Sequence, residues 1–295
     1  MRTPGFIFDP PYTIVAPVHQ TASVVLDSPH SGSYYPPEFL RASRLRASEL
    51  RRSEDCYVDE LFSDAIAAGA PLLKANFPRA YIDLNREPNE LDPHLIDGPL
   101  PRTANASSVR VVGGLGTIPR IVSEGEEIYR NKISLRDAML RISELYEPYH
   151  AALSGLLTTT QRKFGCALLI DCHSMPSSAA GSSPAGQPDI VLGDRHGVSC
   201  GTALVDRLES LLRAQGLRVQ RNRPYAGGFI TESYGRPARG LHAVQIEVNR
   251  AIYMNERTLA RLDRFAMLRR SIGAVLRDLL PETQGLLSAF GVAAE

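Results

Sequence analysis

This 295-residue sequence predicts an α/β fold, with a parallel or mixed central sheet and helices on both faces. Three observations predict it. Short apolar runs closed by Pro, Gly or Ser recur along the chain, as buried strands require. Segments with apolar residues at helical spacing lie between them. Two of the runs, Ser23-Val-Val-Leu-Asp-Ser-Pro-His30 and Ala167-Leu-Leu-Ile-Asp-Cys-His173, also deliver a histidine just past a strand. That is where open α/β sheets place their ligands.

In chain order, residues 1–20 read as an irregular lead-in, and strands are expected at about 23–27, 71–76, 79–84, 167–171, 189–192, 217–220 and 242–248. A helix is expected from Glu127 to Leu157, where Ile128, Ile133, Leu135, Met139, Ile142, Leu145, Tyr149 and Leu153 fall mostly at helical spacings. A second carries Val205, Leu208, Leu211 and Leu212 and ends at Gly216. The last carries Leu259, Leu262, Phe265, Leu268, Ile272, Val275 and Leu279. The Ser/Gly/Pro-rich stretch 174–188 follows His173 directly and reads either as a flap over a site or as a surface loop. No repeat or long linker divides the chain, so 1–295 is expected to be a single catalytic domain.

Composition narrows the function classes. A hydrophobic content of 43% fills a sizeable core, and a net charge of +1 argues against nucleic acid or an anionic membrane as partner. There is no apolar stretch of transmembrane length and no signal-peptide core in residues 1–20, so a cytoplasmic protein is expected. Cys56, Cys166, Cys172 and Cys200 show no CxxC pairing and read as free thiols. No feature specifies an oligomeric state.

Two strand-end imidazoles far apart in sequence suggest one shared metal site, His30 with His173. Catalytic zinc usually takes three protein ligands and leaves a position for water. The best source of a third is Arg51-Arg-Ser-Glu-Asp55-Cys-Tyr-Val-Asp59-Glu-Leu-Phe62. Ser53 can cap a helix there, with Asp55 in its first turn and Asp59 one turn on, on the same face. Asp55 is the expected ligand and Asp59 an acid that could orient a histidine. The alternative is that both acids only complement the helix dipole. Cys172 adjoins His173, but neighbours on a strand point to opposite faces, so it is not expected to be a ligand.

Glu247 interrupts the apolar strand His242-Ala-Val-Gln-Ile-Glu247 near its end. A buried carboxylate needs a reason, either general-base chemistry on a metal-activated water or an ion pair with Arg250. Arg79, Arg86, Arg195 and Arg223 sit in loops near strand ends, which favours a small acidic substrate. Gly227 and Gly228 would let backbone N–H groups approach a ligand, or mark only a turn.

The segments Ser28-Pro-His-Ser-Gly32, Glu54-Asp-Cys-Tyr-Val-Asp-Glu-Leu-Phe62, Tyr81-Ile-Asp-Leu-Asn-Arg86, Leu169-Ile-Asp-Cys-His-Ser174, Asn222-Arg-Pro-Tyr-Ala-Gly-Gly228, His242-Ala-Val-Gln-Ile-Glu247 and Tyr253-Met254 form an ordered set across about residues 23–256. As a set, the chain resembles the N-formylglutamate amidohydrolase family, itself similar to zinc carboxypeptidases and the aspartoacylase group. The resemblance implies a three-layer αβα domain with a mixed central sheet. It also implies one zinc ion (other divalent ions being possible) held by two histidines and an acid, and hydrolysis of N-formyl-L-glutamate to glutamate and formate in histidine breakdown. The carboxypeptidase His-x-x-Glu ligand pair is absent: Ser33 stands three residues after His30. The acid must come from elsewhere, which points to Asp55.

On that reading His30, Asp55 and His173 hold Zn2+, Glu247 is the general base, and Arg86 helps to stabilise the oxyanion. Arg195, Arg250, Tyr225 and Asn85 are candidates for binding a small acidic acyl-amino-acid substrate. Two rivals stand beside it. One is a zinc-dependent deacylase or carboxypeptidase acting on another N-acyl amino acid or short peptide. The other is a metal- or small-molecule-binding domain without catalysis.

Overall fold

The structure is a computed structural model, and it describes residues 8–122, 125–180 and 186–292. Seven strands form the main sheet: β1 (Tyr12–Val15), β2 (Val24–Ser28), β3 (Leu72–Ala75), β4 (Ala167–Met175), β5 (Ile190–Gly193), β6 (Val219–Arg221) and β7 (Leu241–Asn249). The helices are α1 (Pro37–Ala42), α2 (Ala47–Leu50), α3 (Val58–Leu61), α4 (Val109–Val112), α5 (Leu135–Arg141), α6 (Glu147–Phe164), α7 (Thr202–Ala214), α8 (Phe229–Tyr234) and α9 (Arg264–Val292). The fold class is α/β with a mixed sheet, in the order β1-β3-β2-β4-β7-β5-β6. The chain divides into two compact units.

The first unit contains residues 29–56, 74–152 and the segment before Ile14. It is poor in regular structure, with α1, α2, α4 and α5 and two short two-stranded pairings. The expected strand at 79–84 is instead a run of turns, in which Tyr81 N–H donates to Pro78 O at 2.9 Å and Asp83 N–H to Thr117 O at 2.8 Å. Apolar alternation was present there, but Pro78 and local backbone bonding claim the donors that a ladder would use. The helix expected from Glu127 starts later. Glu126–Glu127 pair with Ile121–Val122, and Ser134 caps α5 by accepting from Asp137 N–H at 3.0 Å. A π-helical turn at Ile142–Tyr146 then joins α5 to α6.

The second unit contains residues 14–28, 57–73 and the chain from Leu153 onward. In it β2, β4 and β7 run parallel, while β5 is antiparallel to β7 and parallel to β6. All nine residues of β4 are buried, so this strand is the centre of the core. The parallel register sets Asp27 beside Asp171, Gln245 beside Asp171 and Glu247 beside His173. Side chains alternate, so one face of β7 carries Val244, Ile246 and Val248 and the other Gln245, Glu247 and Asn249. Helix α7 buries Leu204, Val205, Leu208, Leu211 and Leu212 and packs along α9. Helix α9 also packs on α3, and α8 lies against β4 and β7.

The directions of β5 and β6 correct one expectation. Their carboxyl ends, which lead to Arg195 and Arg223, point away from the edge where β4 and β7 end. The lead-in was also misread in part, since β1 forms there as an edge strand. The last helix begins at Arg264 and not near Leu259, whose φ of 59° is left-handed. Strand β4 runs on to Met175 and a 3-10 turn spans Ser177–Ala180; the flap expected at 174–188 falls partly on residues 181–185, outside the described residues. No helix among the described residues is long and apolar enough to cross a membrane.

Candidate metal and catalytic centre

His30 is carried two residues past the end of β2 and is fully buried. A close backbone approach holds the loop that follows. A Cβ on Gly32 would fall 2.1 Å from Phe77 O, so only glycine fits. His30 Nε2 lies 2.8 Å from Asp83 Oδ1, and its Nδ1 lies 3.4 Å from Asp55 Oδ2. The main chain supports the same pair, since Asp55 N–H donates to His30 O at 3.0 Å.

Asp55 is not in a helix, which corrects the expected placement. A 3-10 turn covers Arg51–Ser53, and the Ser53 hydroxyl donates to Leu50 O at 2.9 Å instead of capping. Helix α3 starts only at Val58, after Tyr57 takes a left-handed φ of 65°. Glu54, Asp55 and Cys56 form a buried loop between the two. Arg51 Nε donates to both Glu54 oxygens at 3.1 Å and the Cys56 thiol donates to Glu54 Oε2 at 3.1 Å. Glu54 therefore anchors the loop that presents Asp55. Asp59 lies half-buried in α3.

Asp83 is the hub of this half. Its Oδ1 accepts from Asn85 N–H at 2.9 Å as well as facing His30, and its Oδ2 accepts from Arg79 Nε at 2.9 Å. Burial alone would raise its pKa, but Arg79, Arg86 and His30 outweigh burial and hold the carboxyl well below the usual range. Arg86 Nη2 is 3.7 Å from Asp83 Oδ2, while its Nε and Nη1 donate to Leu115 O and Asn85 O. Burial lowers the Arg86 pKa, partly countered by Asp83.

In the second unit His173 Nε2 lies 2.7 Å from Asp171 Oδ1, two residues back on the same face of β4. Glu247 stands beside His173 on the neighbouring parallel strand. Its Oε1 accepts from Gln245 Nε2 at 2.7 Å, and Gln245 Oε1 accepts from Gly228 N–H at 2.8 Å. Gly193, the register partner of Gln245, makes room for this: a Cβ there would fall 2.6 Å from Gly227 N. The glycine pair thus lies over the polar face and locks the amide that holds Glu247.

Tyr225 reaches the same face, packing against Met175, Ala180 and Val191, and Val191 is the register partner of Glu247. Arg250 is buried just past β7, where its Nε donates to Ser174 Oγ at 3.1 Å. Arg195 Nη2 pairs with Glu232 Oε1 at 3.1 Å, and its N–H donates to Ala226 O at 2.7 Å. Cys172 points to the other face, and burial pushes its thiol well up. All four cysteines are buried free thiols.

His30, Asp55 and His173, all buried, each place one ligand atom within 4.8 Å of the other two, a group able to hold a metal ion. Its donor set, two imidazole nitrogens and a carboxylate oxygen, suits a divalent transition ion. The His30 ring is hydrogen-bonded to buried Asp83, which is how metal-ligating histidines are oriented, and buried Asp171 lies beside the His173 ring. Sequence reasoning assigned no role to Asp83, Asp171 or Gln245. The signal for Asp171 was present, because it interrupts an apolar strand just as Glu247 does.

A family model described as N-formylglutamate amidohydrolase matches residues 22–254. A protein from Pseudomonas aeruginosa named N-formylglutamate deformylase is 32% identical over 260 residues, covering 87% of this chain and 91% of that protein. One of the same name from Pseudomonas putida is 32% identical over 205 residues, covering 68% of this chain and 71% of the relative. The crystal structure of an N-formylglutamate amidohydrolase from Ralstonia eutropha superposes with a TM-score of 0.87 at 36% identity, covering 92% of this chain and 97% of that one. A gene product from Agrobacterium tumefaciens shares the fold at a TM-score of 0.59 and 17% identity, over 90% of this chain and 95% of its own. Matched along most of its length by model, relatives and structure alike, the chain belongs to the N-formylglutamate amidohydrolase family.

Proposed function

We propose that this protein hydrolyses N-formyl-L-glutamate to L-glutamate and formate, with one zinc ion held by His30, Asp55 and His173. The observation that carries the reading is Glu247 registered beside His173 on the polar sheet face, with His173 itself in the buried His/Asp/His group. The names of the relatives support the substrate. The hydrogen bond between His30 Nε2 and Asp83 supports Nδ1, which faces Asp55, as the donor of that ring.

When bound, such an ion supplies Lewis acidity, acidifying water and polarising a carbonyl. The chain's own residues do the rest. Asp83, hydrogen-bonded to His30 Nε2, holds that imidazole in orientation and tautomer, and the Asp171 carboxylate stands against the His173 ring. Gln245 donates to Glu247 Oε1 and so keeps the carboxylate facing its work. Glu247 accepts the proton of the attacking water and returns it to the departing amine nitrogen. Arg86, already turned towards Asp83, offers positive charge to the developing oxyanion. Arg250, Tyr225, Asn85 and Arg195 are the candidates for holding the substrate carboxylates. Asp59 is a further candidate for steadying the centre. A reducing cytoplasmic setting fits the four free thiols.

The test pairs metal analysis with formate release. Wild type should carry about one zinc per chain and release formate from N-formyl-L-glutamate far faster than it cleaves N-acetyl-L-glutamate or a short peptide. His173→Ala should lose both metal and turnover. Formate release undiminished in His173→Ala would overturn the assignment.

A further inference from the structure

A cavity apart from the His30 centre lies entirely within the first compact unit. It has a volume of about 540 Å3 and is walled by α1, Tyr81, the segment 129–134 and α5. Sites for small organic molecules run from roughly 300 to 1,000 Å3. Three aromatic rings line it, Phe39, Tyr81 and Tyr129, together with the cations Arg130, Lys132 and Arg141.

Arg141 is the unusual member. It is only 7% exposed, yet among the described residues no carboxylate forms an ion pair with it; Asp137, one turn earlier on α5, favours its charge only weakly. Its Nη1 donates to Tyr81 O at 2.9 Å and to Tyr129 Oη at 2.6 Å, and its guanidinium carbon stands 3.8 Å from the Tyr81 ring centroid. Among the described residues its buried Nε has no hydrogen-bond partner. A buried charge without a close counter-charge is costly, and a buried N–H donor without an acceptor adds to that cost. Arg86 in the same unit shows the ordinary solution, a carboxylate at 3.7 Å.

Arg130 and Lys132 are exposed on the same cavity, and among the described residues neither forms an ion pair with a carboxylate. Two acids also line it. Glu38 is already paired with Arg41 at 3.0 Å, and Asp137 lies in the first turn of α5. Positive charge is therefore in excess around aromatic walls.

We propose that this cavity is a binding site for a small organic anion, a carboxylate or phosphate on a flat or apolar body, with Arg141 as its buried counter-charge. The anion accepts from the guanidinium, its body packs on Phe39 and Tyr81, and Arg130 and Lys132 attract it at the mouth. This site is separate from the His30 centre and does not depend on the reaction assigned there.

Calorimetric titration of the metal-loaded enzyme with benzoate and with inorganic phosphate tests it, in the presence of saturating L-glutamate to occupy the catalytic site. One benzoate should bind per chain, with Kd raised at least tenfold in Arg141→Met and severalfold in Arg130→Ala/Lys132→Ala. Tighter binding of benzoate than phosphate would assign the aromatic walls a role, and the reverse would assign a phosphate site. Because Arg141→Met could fail to fold, the double variant, which changes only exposed side chains, decides that case. Binding unchanged in the double variant, or no binding of either anion at tens of millimolar, would overturn the proposal.

Discussion

Glu247 and Gln245 show how one residue sets the working state of another. Glu247→Gln keeps the size of the side chain and the metal ligands but removes the base. Zinc content should stay at the wild-type level while kcat falls roughly 10^2- to 10^4-fold, the usual range for losing a general base. Full turnover in that variant would rule Glu247 out. Gln245→Leu asks a subtler question. Its amide donates to Glu247 Oε1, which favours the charged carboxylate, so its loss should raise the pKa of the base. A bond to a charged group contributes about 1.5–3 kcal/mol, so the acid limb of the rate profile should move up by about one to two pH units, with kcat reduced and KM little changed. A purely structural role would lower the melting temperature and leave the limb in place. At this scale the sequence was informative where a polar residue broke an apolar pattern, as His30, His173 and Glu247 do. Asp83 was not legible, because its importance comes from contacts with Arg79, Arg86 and His30 that lie across turns with no periodic signature.

At the scale of the element, β2, β4 and β7 were readable from their apolar runs, and α7 and α9 from their spacing. The start of α3 was not, because the acids after Ser53 resemble a helical first turn while Glu54 is pinned by Arg51 into a loop. The joint between β7 and α7 carries a pH signature. His242 is 1% exposed on the apolar side of β7, and its Nδ1 accepts from Gly201 N–H at 3.0 Å, just where α7 begins. An acceptor nitrogen must be unprotonated, and burial lowers the His242 pKa to about 4 from 6.5. The unfolded chain therefore binds a proton that the folded chain refuses between those values. Stability from this group is complete above about pH 6.5, falls as pH drops towards 4 with a slope of at most about 1.4 kcal/mol per pH unit, and levels off below. His242→Asn retains an acceptor that does not titrate. Denaturant unfolding of the two proteins across pH 4–7 should show a shallower slope for the variant, and identical slopes would remove His242 from the account.

For the whole molecule, the sheet order is the feature that local pattern could not supply. Strand existence follows from short windows, but the direction of β5 is decided by its pairing with β7, and that reversal sends the loop bearing Arg195 away from the edge where β4 and β7 end. The same long-range pairing sets Asp27 and Glu247 against β4, the strand that carries His173. The proposed ligands His30, Asp55 and His173 come from three segments far apart in the chain, so an unfolded chain cannot present them together. A bound ion should then stabilise the native state by mass action, by about 4 kcal/mol when free metal is some 1,000 times Kd. For a chain of this size that corresponds to a fall of roughly 6–7 °C in melting temperature when a chelator strips the ion. Glu247→Gln should show the full fall, because it keeps every ligand. His173→Ala should melt at the lower temperature with or without chelator, and readded zinc should restore only the proteins with intact ligands. A wild-type melting temperature indifferent to both chelator and zinc would mean that these three buried side chains are held together by protein contacts alone.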